Sequence, residues 1–156
     1  MPTIFEAVAQ GDAEKVVEAL EAGADANALG EGGRTPLIEA SRLGHADVVE
    51  LLLEAGAETF IKDDEQETAL MKAAANGHRE VCDLLFDRAD EDDRQMASAF
   101  LAALGKTHGP PRERVPSKLT RRVALLGARA AKFVGHDKLL ERVERVDRAE
   151  KNEKKR

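Results

Sequence analysis

Residues 35–57 read TPLIEASRLGHADVVELLLEAGA, and this stretch alone predicts two short helices folded against each other. Thr35-Pro36 places a capping hydroxyl before a proline at the first helical position, where a missing N–H costs nothing. Leu37 and Ala40 fall on one face of that helix, and Gly44 ends it. Asp47 is expected to cap a second helix, whose Val48, Val49, Leu51, Leu52 and Leu53 form a broad apolar face. Gly56 closes it, and a polar stretch from Glu58 to Glu67 follows. One such pair cannot bury its own apolar face, so it needs neighbours stacked beside it.

The neighbours are present at a shift of 33 residues. That shift lays Gly11 on Gly44 and Gly77, Ala7 on Ala40 and Ala73, and Ile4 on Leu37 and Leu70. Val16 falls on Val49 and Cys82, Leu20 on Leu53 and Phe86, and Gly23-Ala24 on Gly56-Ala57. No gap is needed across the first 90 residues. The stretch resembles the ankyrin repeat family: Thr35-Pro36-Leu37-Ile38-Glu39-Ala40 is similar to its T-P-L-H-x-A start. Gly44-His45 and Asn76-Gly77-His78 match its inter-helix turn, and Gly23 to Ala28 its exit into a finger. The resemblance covers residues 2 to about 93. It implies an all-α, helix-turn-helix solenoid with short β-hairpin fingers and a helical C-terminal cap. The chain departs from the family in places. Ile38 and Met71 replace the family's histidine, Asp12 replaces the turn histidine in the first unit, and Glu6, Glu39 and Lys72 occupy a column that is often apolar.

Three units are thus expected, at 1–34, 35–67 and 68–93, before the phase is lost. Arg94 to Leu104 reads as a helix carrying Met96, Ala99, Phe100, Ala103 and Leu104. The prolines and glycines of Gly105 to Pro116 predict a loop. Ser117 can cap a long amphipathic helix with Leu119, Val123, Leu126, Ala130, Phe133 and Val134. Gly135-His136 and the apolar residues from Leu139 to Val146 echo a turn and second helix. Residues 94–146 therefore read as a basic helical cap or as degenerate repeats, and Asp147 to Arg156 as a charged, frayed or disordered tail.

Composition agrees with packed helices. The 156 residues are 42% hydrophobic but lack Trp and Tyr, so the core must be built from Ala, Leu and Val. No apolar run approaches the roughly 20 residues a membrane span needs, and the N-terminus lacks a basic-then-apolar signal. A lone Cys82 makes no internal disulfide and no cysteine-rich zinc site. A cytoplasmic protein without a membrane partner is expected. The formal charge of −6 hides a division: residues 1–93 hold 23 acidic and 7 basic side chains, residues 94–156 hold 7 and 17. The two parts either attract each other or leave a basic surface for an outside partner.

Catalytic signatures are missing. Gly105-Lys106-Thr107 has Phe100 where a phosphate loop needs its first glycine, and no strand precedes it. His45, His78 and His136 occupy turn positions, where the ring serves local backbone, and His108 has no base or nucleophile beside it. Cys82 falls on a buried helix face and reads as inert. The acidic runs Asp63-Asp64-Glu65 with Glu67, and Asp90 to Asp93, lack the central glycine and alternating ligands of a calcium loop. An enzyme is not expected, nor a metal or cofactor.

What remains is surface. The resemblance implies a concave partner face made of the fingers and the first helices. Mapped onto this chain, the second unit contributes Leu29, Glu31, Arg34, Ile38, Arg42 and Leu43, and the third Lys62, Asp64, Glu65, Glu67, Met71 and Asn76. Leu43 and Met71, apolar among charges, fit the pattern of an interface anchor. The expected function is non-enzymatic binding of a partner protein, one with a basic surface, through this acidic face. The alternative is binding of nucleic acid or another anion by Lys106, Arg112, Arg114, Lys118, Arg121, Arg122, Arg129 and Lys132. Against it stand the acidic body and the lack of interleaved aromatics for stacking. A third arrangement docks the basic end on an acidic surface of a second copy.

Overall fold

A computed structural model describes residues 3–106 and 118–134, with side chains in the last helix described through Leu126. Eight α-helices are present in it: α1 Ile4–Gln10, α2 Ala13–Glu21, α3 Pro36–Leu43, α4 Ala46–Glu54, α5 Ala69–Ala75, α6 Arg79–Leu85, α7 Glu91–Ala103 and α8 Lys118–Val134. None of the helices among the described residues is long and apolar enough to cross a membrane.

Capping chemistry sets where the first helices begin. Thr35 accepts from the Ile38 N–H and Thr68 from the Met71 N–H. In α1, Thr3 and Glu6 cap each other's backbone reciprocally. The second helices start differently. His45, not Asp47, is the N-cap of α4; Asp47 lies in the first turn, so the expected cap stands too far into the helix. There His45 takes the place that Asp12 fills in α2 with a bond from the Lys15 N–H.

The helices stack in two rows. α1, α3, α5 and α7 pack in sequence in one row, and α2, α4 and α6 in the other. Between the rows lies a core of small aliphatic side chains: Ala7, Val8, Val16, Leu37, Ala40, Val49, Leu52, Leu70, Ala73, Leu85 and Leu101 are all fully or almost fully buried. With no ring larger than phenylalanine to accommodate, alanines at 7, 40 and 73 let successive first helices approach closely. α7 begins at Glu91, capped by Asp90, three residues before the start expected from the apolar pattern. It adds a fourth member to the first-helix row beside α5.

At the inter-helix turns, each unit reaches onto the one before. Gly11, Gly44 and Gly77 all have positive φ, near 66°, 81° and 72°. A Cβ on Gly11 would come within 2.8 Å of the His45 ring, and one on Gly44 within 2.5 Å of the His78 ring. His78 also donates from Nε2 to the Arg42 carbonyl at 2.9 Å. At Gly77 the same place is taken by Lys106, whose Nζ donates to the Gly77 carbonyl at 2.6 Å. Lys106 is thus committed to closing the last turn and is not a spare cation. Gly105 beside it has φ near 68° and ends α7, which accounts for the Gly-Lys pair without any phosphate loop.

α8 does not continue the stack. It lies against α2 and α4, on the outer row of the first two units. Val123 and Thr120 are buried there, and Leu119 and Leu126 pack on the core. Arg122 bonds Glu21 at 2.8 and 3.1 Å and reaches Glu14 at 3.5 Å. Attraction between the acidic body and the basic end is realised at this contact. The expectations for Ser117, His108, His136 and residues 135–156 lie outside the described residues.

Candidate functional site

The finger loops join the units along the first-helix row. No strand occurs in them among the described residues, so the expected β-hairpins are absent there. Each loop instead folds back through two backbone bonds: Gly30 N–H to the Arg34 carbonyl with Gly33 N–H to the Gly30 carbonyl, and Asp63 N–H to the Glu67 carbonyl with Gln66 N–H to the Asp63 carbonyl. Neighbouring loops are stitched together: Glu58 N–H donates to Asn27 Oδ1 at 2.8 Å, and Asp64 N–H to the Gly32 carbonyl at 3.0 Å. The turns at their tips are tight, and no ladder forms beyond them among the described residues. Gly32 and Gly33 in one, and Gln66 in the other, have positive φ.

Charge organises this face into two ties, one per finger. In the second unit, Glu39 receives Arg34 Nη1 at 3.0 Å and Arg42 Nη2 at 2.5 Å. Hydrogen bonding from Arg42, together with the charge of Arg34, holds the Glu39 carboxyl below its ordinary pKa despite partial burial. In the third unit the polarity is reversed. Lys72, only 8% exposed, projects its ammonium among Asp63, Glu65 and Glu67, with Asp63 Oδ2 at 3.2 Å. Burial disfavours the ammonium, but hydrogen bonds with Glu65, Glu67 and Asp63 outweigh it and raise the Lys72 pKa. Asp63 Oδ1 also accepts the Glu65 and Glu67 N–H groups at 3.0 Å each. Burial opposes the Asp63 carboxylate, but these bonds and Lys72 together outweigh it and lower the Asp63 pKa. Shifted by 33, Arg34 aligns with Glu67 and Glu39 with Lys72, so the same tie is built twice with opposite signs.

This arrangement revises several expected contacts. Ile38 is 1% exposed: it packs in the core and has no surface to offer a partner. Glu65 and Glu67 are both ion-paired to Lys72 and so are tied down within the unit, although one ammonium among three carboxylates leaves the cluster net negative. Arg34 and Arg42 are held by Glu39, and Asn76 bonds the Lys72 carbonyl at the end of α5. Leu43 and Met71 are half-buried, while Leu29 and Asp64 are exposed along with Glu31 and Lys62. The three carboxylates around Lys72 are close enough together to hold a metal ion, but the lysine fills their centre with its own cation.

Of the basic set, Lys106 and Arg122 serve intramolecular partners, and Arg121 is half-buried with interactions of its own. Lys118 is exposed. Arg112 and Arg114 lie outside the described residues, as do the side chains of Arg129 and Lys132. Cys82 is fully buried, and burial pushes its thiol up to about 12, a state without nucleophilic thiolate at neutral pH.

Phe5, Glu6 and Ala9 of α1 fall outside the expected contacts, which begin at Leu29. With Gly30, Glu31, Arg34 and Glu39 they line an open groove of about 390 Å³ between the first two units. The signal for it is the column holding Glu6 and Glu39.

The family model for ankyrin repeats in three copies matches residues 4–95. The chain belongs to the ankyrin repeat family. Ankyrin repeats are in general protein–protein interaction modules, and the paired helices, positive-φ turns and stitched fingers described above are the elements of that repeat. Comparison with curated proteins finds no individual match.

Proposed function

We propose that this ankyrin-repeat chain is a non-enzymatic binding module, a regulator, inhibitor or scaffold, that takes a partner protein across its finger and first-helix face. The observation that carries the reading is the position of α8. It covers the outer row at units one and two, and among the described residues no element covers the finger face. That face offers Leu29, 68% exposed, with half-buried Leu43 and Met71, bordered by Glu31, Lys62 and Asp64. An apolar centre sets residence time and peripheral carboxylates speed the encounter with a basic surface. Binding of nucleic acid through the basic end is the weaker reading, since Lys106 and Arg122 are already engaged.

The test is capture of a partner from nuclease-treated lysate by the wild-type chain and by two variants. Leu29→Glu with Asp64→Asn changes the face without touching the Lys72 or Glu39 ties; Lys118→Glu changes exposed α8. Loss of the captured protein in the first variant alone supports the face. Loss in the second alone, or capture abolished by nuclease, refutes it.

A further inference from the structure

The groove between units one and two has a floor and a charge that are not matched among the described residues. Its floor is the Phe5 ring, Ala9 and the Gly30 backbone, and its walls carry Glu6, Glu31, Glu39 and Arg34. Gly30 is not there for backbone freedom, since its φ of −104° suits any residue. It is there for space: a Cβ would lie 2.7 Å from Phe5 Cε1 and displace the ring. Glu39 is satisfied by Arg34 and Arg42. Among the described residues Glu6 accepts only the Thr3 N–H, at 2.8 Å, and neither Glu6 nor Glu31 has an ion pair. An aromatic floor under two uncompensated carboxylates complements a long alkyl stem that ends in a cation. At about 390 Å³ the groove is at the small end for ligand pockets and suits a single side chain.

We infer that this groove receives one lysine or arginine side chain of the protein partner, its stem on Phe5 and its head group between Glu6 and Glu31. This rests on the finger face being the partner face and names the chemistry the partner must present. A neutral or acidic side chain would leave both carboxylates unpaired, so the groove selects for charge as well as length.

The test needs no partner. The probes are N-acetyl-arginine amide, N-acetyl-lysine amide and, as the uncharged counterpart, N-acetyl-citrulline amide. Each is titrated at constant ionic strength into the ¹⁵N-labelled full chain and followed by NMR. Expected are saturable shifts at Phe5, Ala9 and Gly30 with one or both cations, and at least severalfold weaker response to citrulline. Glu6→Gln with Glu31→Gln should raise Kd by roughly fivefold, about what two exposed charge pairs supply. The amide oxygen introduced by Glu6→Gln can still accept the Thr3 N–H, so the cap survives, and the spectrum itself reports that the variant is folded. Shifts equal for citrulline, shifts unmoved by the double variant, or no shift at the groove would overturn the inference. Each of those results leaves the lysate experiment standing. Failure of that experiment with a positive titration would instead show a cation groove off the partner face, overturning the role assigned here.

Discussion

Replacing Lys72 by methionine isolates the charge in the third-unit tie, because methionine keeps most of the stem's volume and removes only the ammonium. The cost follows from which carboxylates can escape. Glu65 is exposed and can turn into water. Asp63 cannot: it is 3% exposed and pinned by two backbone N–H groups at 3.0 Å. The variant therefore leaves one buried, partly satisfied carboxylate without its cation, worth about 3 kcal/mol at pH 7. The pH dependence gives a second handle. In the wild type the Asp63 pKa is lowered on folding, so its contribution is present above the unfolded value near 3.9 and fades as pH falls through the lower folded value. In Lys72→Met the burial penalty is no longer opposed by the lysine, and protonating Asp63 relieves it. Urea unfolding should show a midpoint lower by roughly 1 to 2 M at pH 7. The difference should shrink by more than half near pH 3.5. A cost below about 1 kcal/mol at pH 7, or the same cost at both pH values, would show that Lys72 is not compensating a buried charge.

Gly44→Ala should destabilise by about 2 kcal/mol or more, because it combines a φ of 81° with a Cβ only 2.5 Å from the His78 ring; Gly56→Ala, at φ 89° with nothing within 4 Å, should cost only about 1 kcal/mol in thermal melts. Equal losses at the two glycines would remove the case for the histidine contact. Cys82 should be inert to a disulfide reagent at pH 8 until urea is added, and its burial should make the fold lose stability as pH rises from the ordinary thiol value toward about 12. Immediate stoichiometric labelling of the native chain would contradict the packing. Arg122→Glu should speed hydrogen exchange of the α8 amides severalfold, and 1 M salt should do the same to the wild type, since the pairs with Glu14 and Glu21 are exposed and screened. Exchange unaffected by either would assign the docking of α8 to Val123 and its apolar neighbours alone.

The stack was legible because its cause is periodic. Thr35-Pro36, the glycines at 11, 44 and 77, and the alanines at 7, 40 and 73 each do a local job that the sequence displays, and the glycines and alanines recur at one shift. What stayed hidden depends on contacts without that period. Ile38 stands where the resemblance has a histidine, and so is expected at the surface; with no polar atom to satisfy, it packs in the core at 1% exposure. The engagement of Arg122 with Glu14 and Glu21 spans about 100 residues, and no local pattern announces it. Lys106 lies off the register of His45 and His78, yet takes the equivalent place over Gly77. Aligning units could not have found it.

The ties at Glu39 and Lys72 show what identity-based comparison overlooks. Column by column, Arg34 against Glu67 and Glu39 against Lys72 look like two unrelated substitutions of opposite charge. Taken as pairs five residues apart, they are one device, a finger charge bonded to the first helix it precedes. Because the inversion preserves attraction inside each unit, both fingers are held while the face's charge changes sign from place to place. Arg34 and Arg42 surround one carboxylate, whereas three carboxylates surround Lys72. The first unit has no such finger partner among the described residues, and its Glu6 is spent only on the cap of α1. A column that reads as scattered charge is therefore two closed pairs and one open carboxylate. The open one borders the groove floored by Phe5, so the place where the tie is missing is also where an outside cation has most to gain.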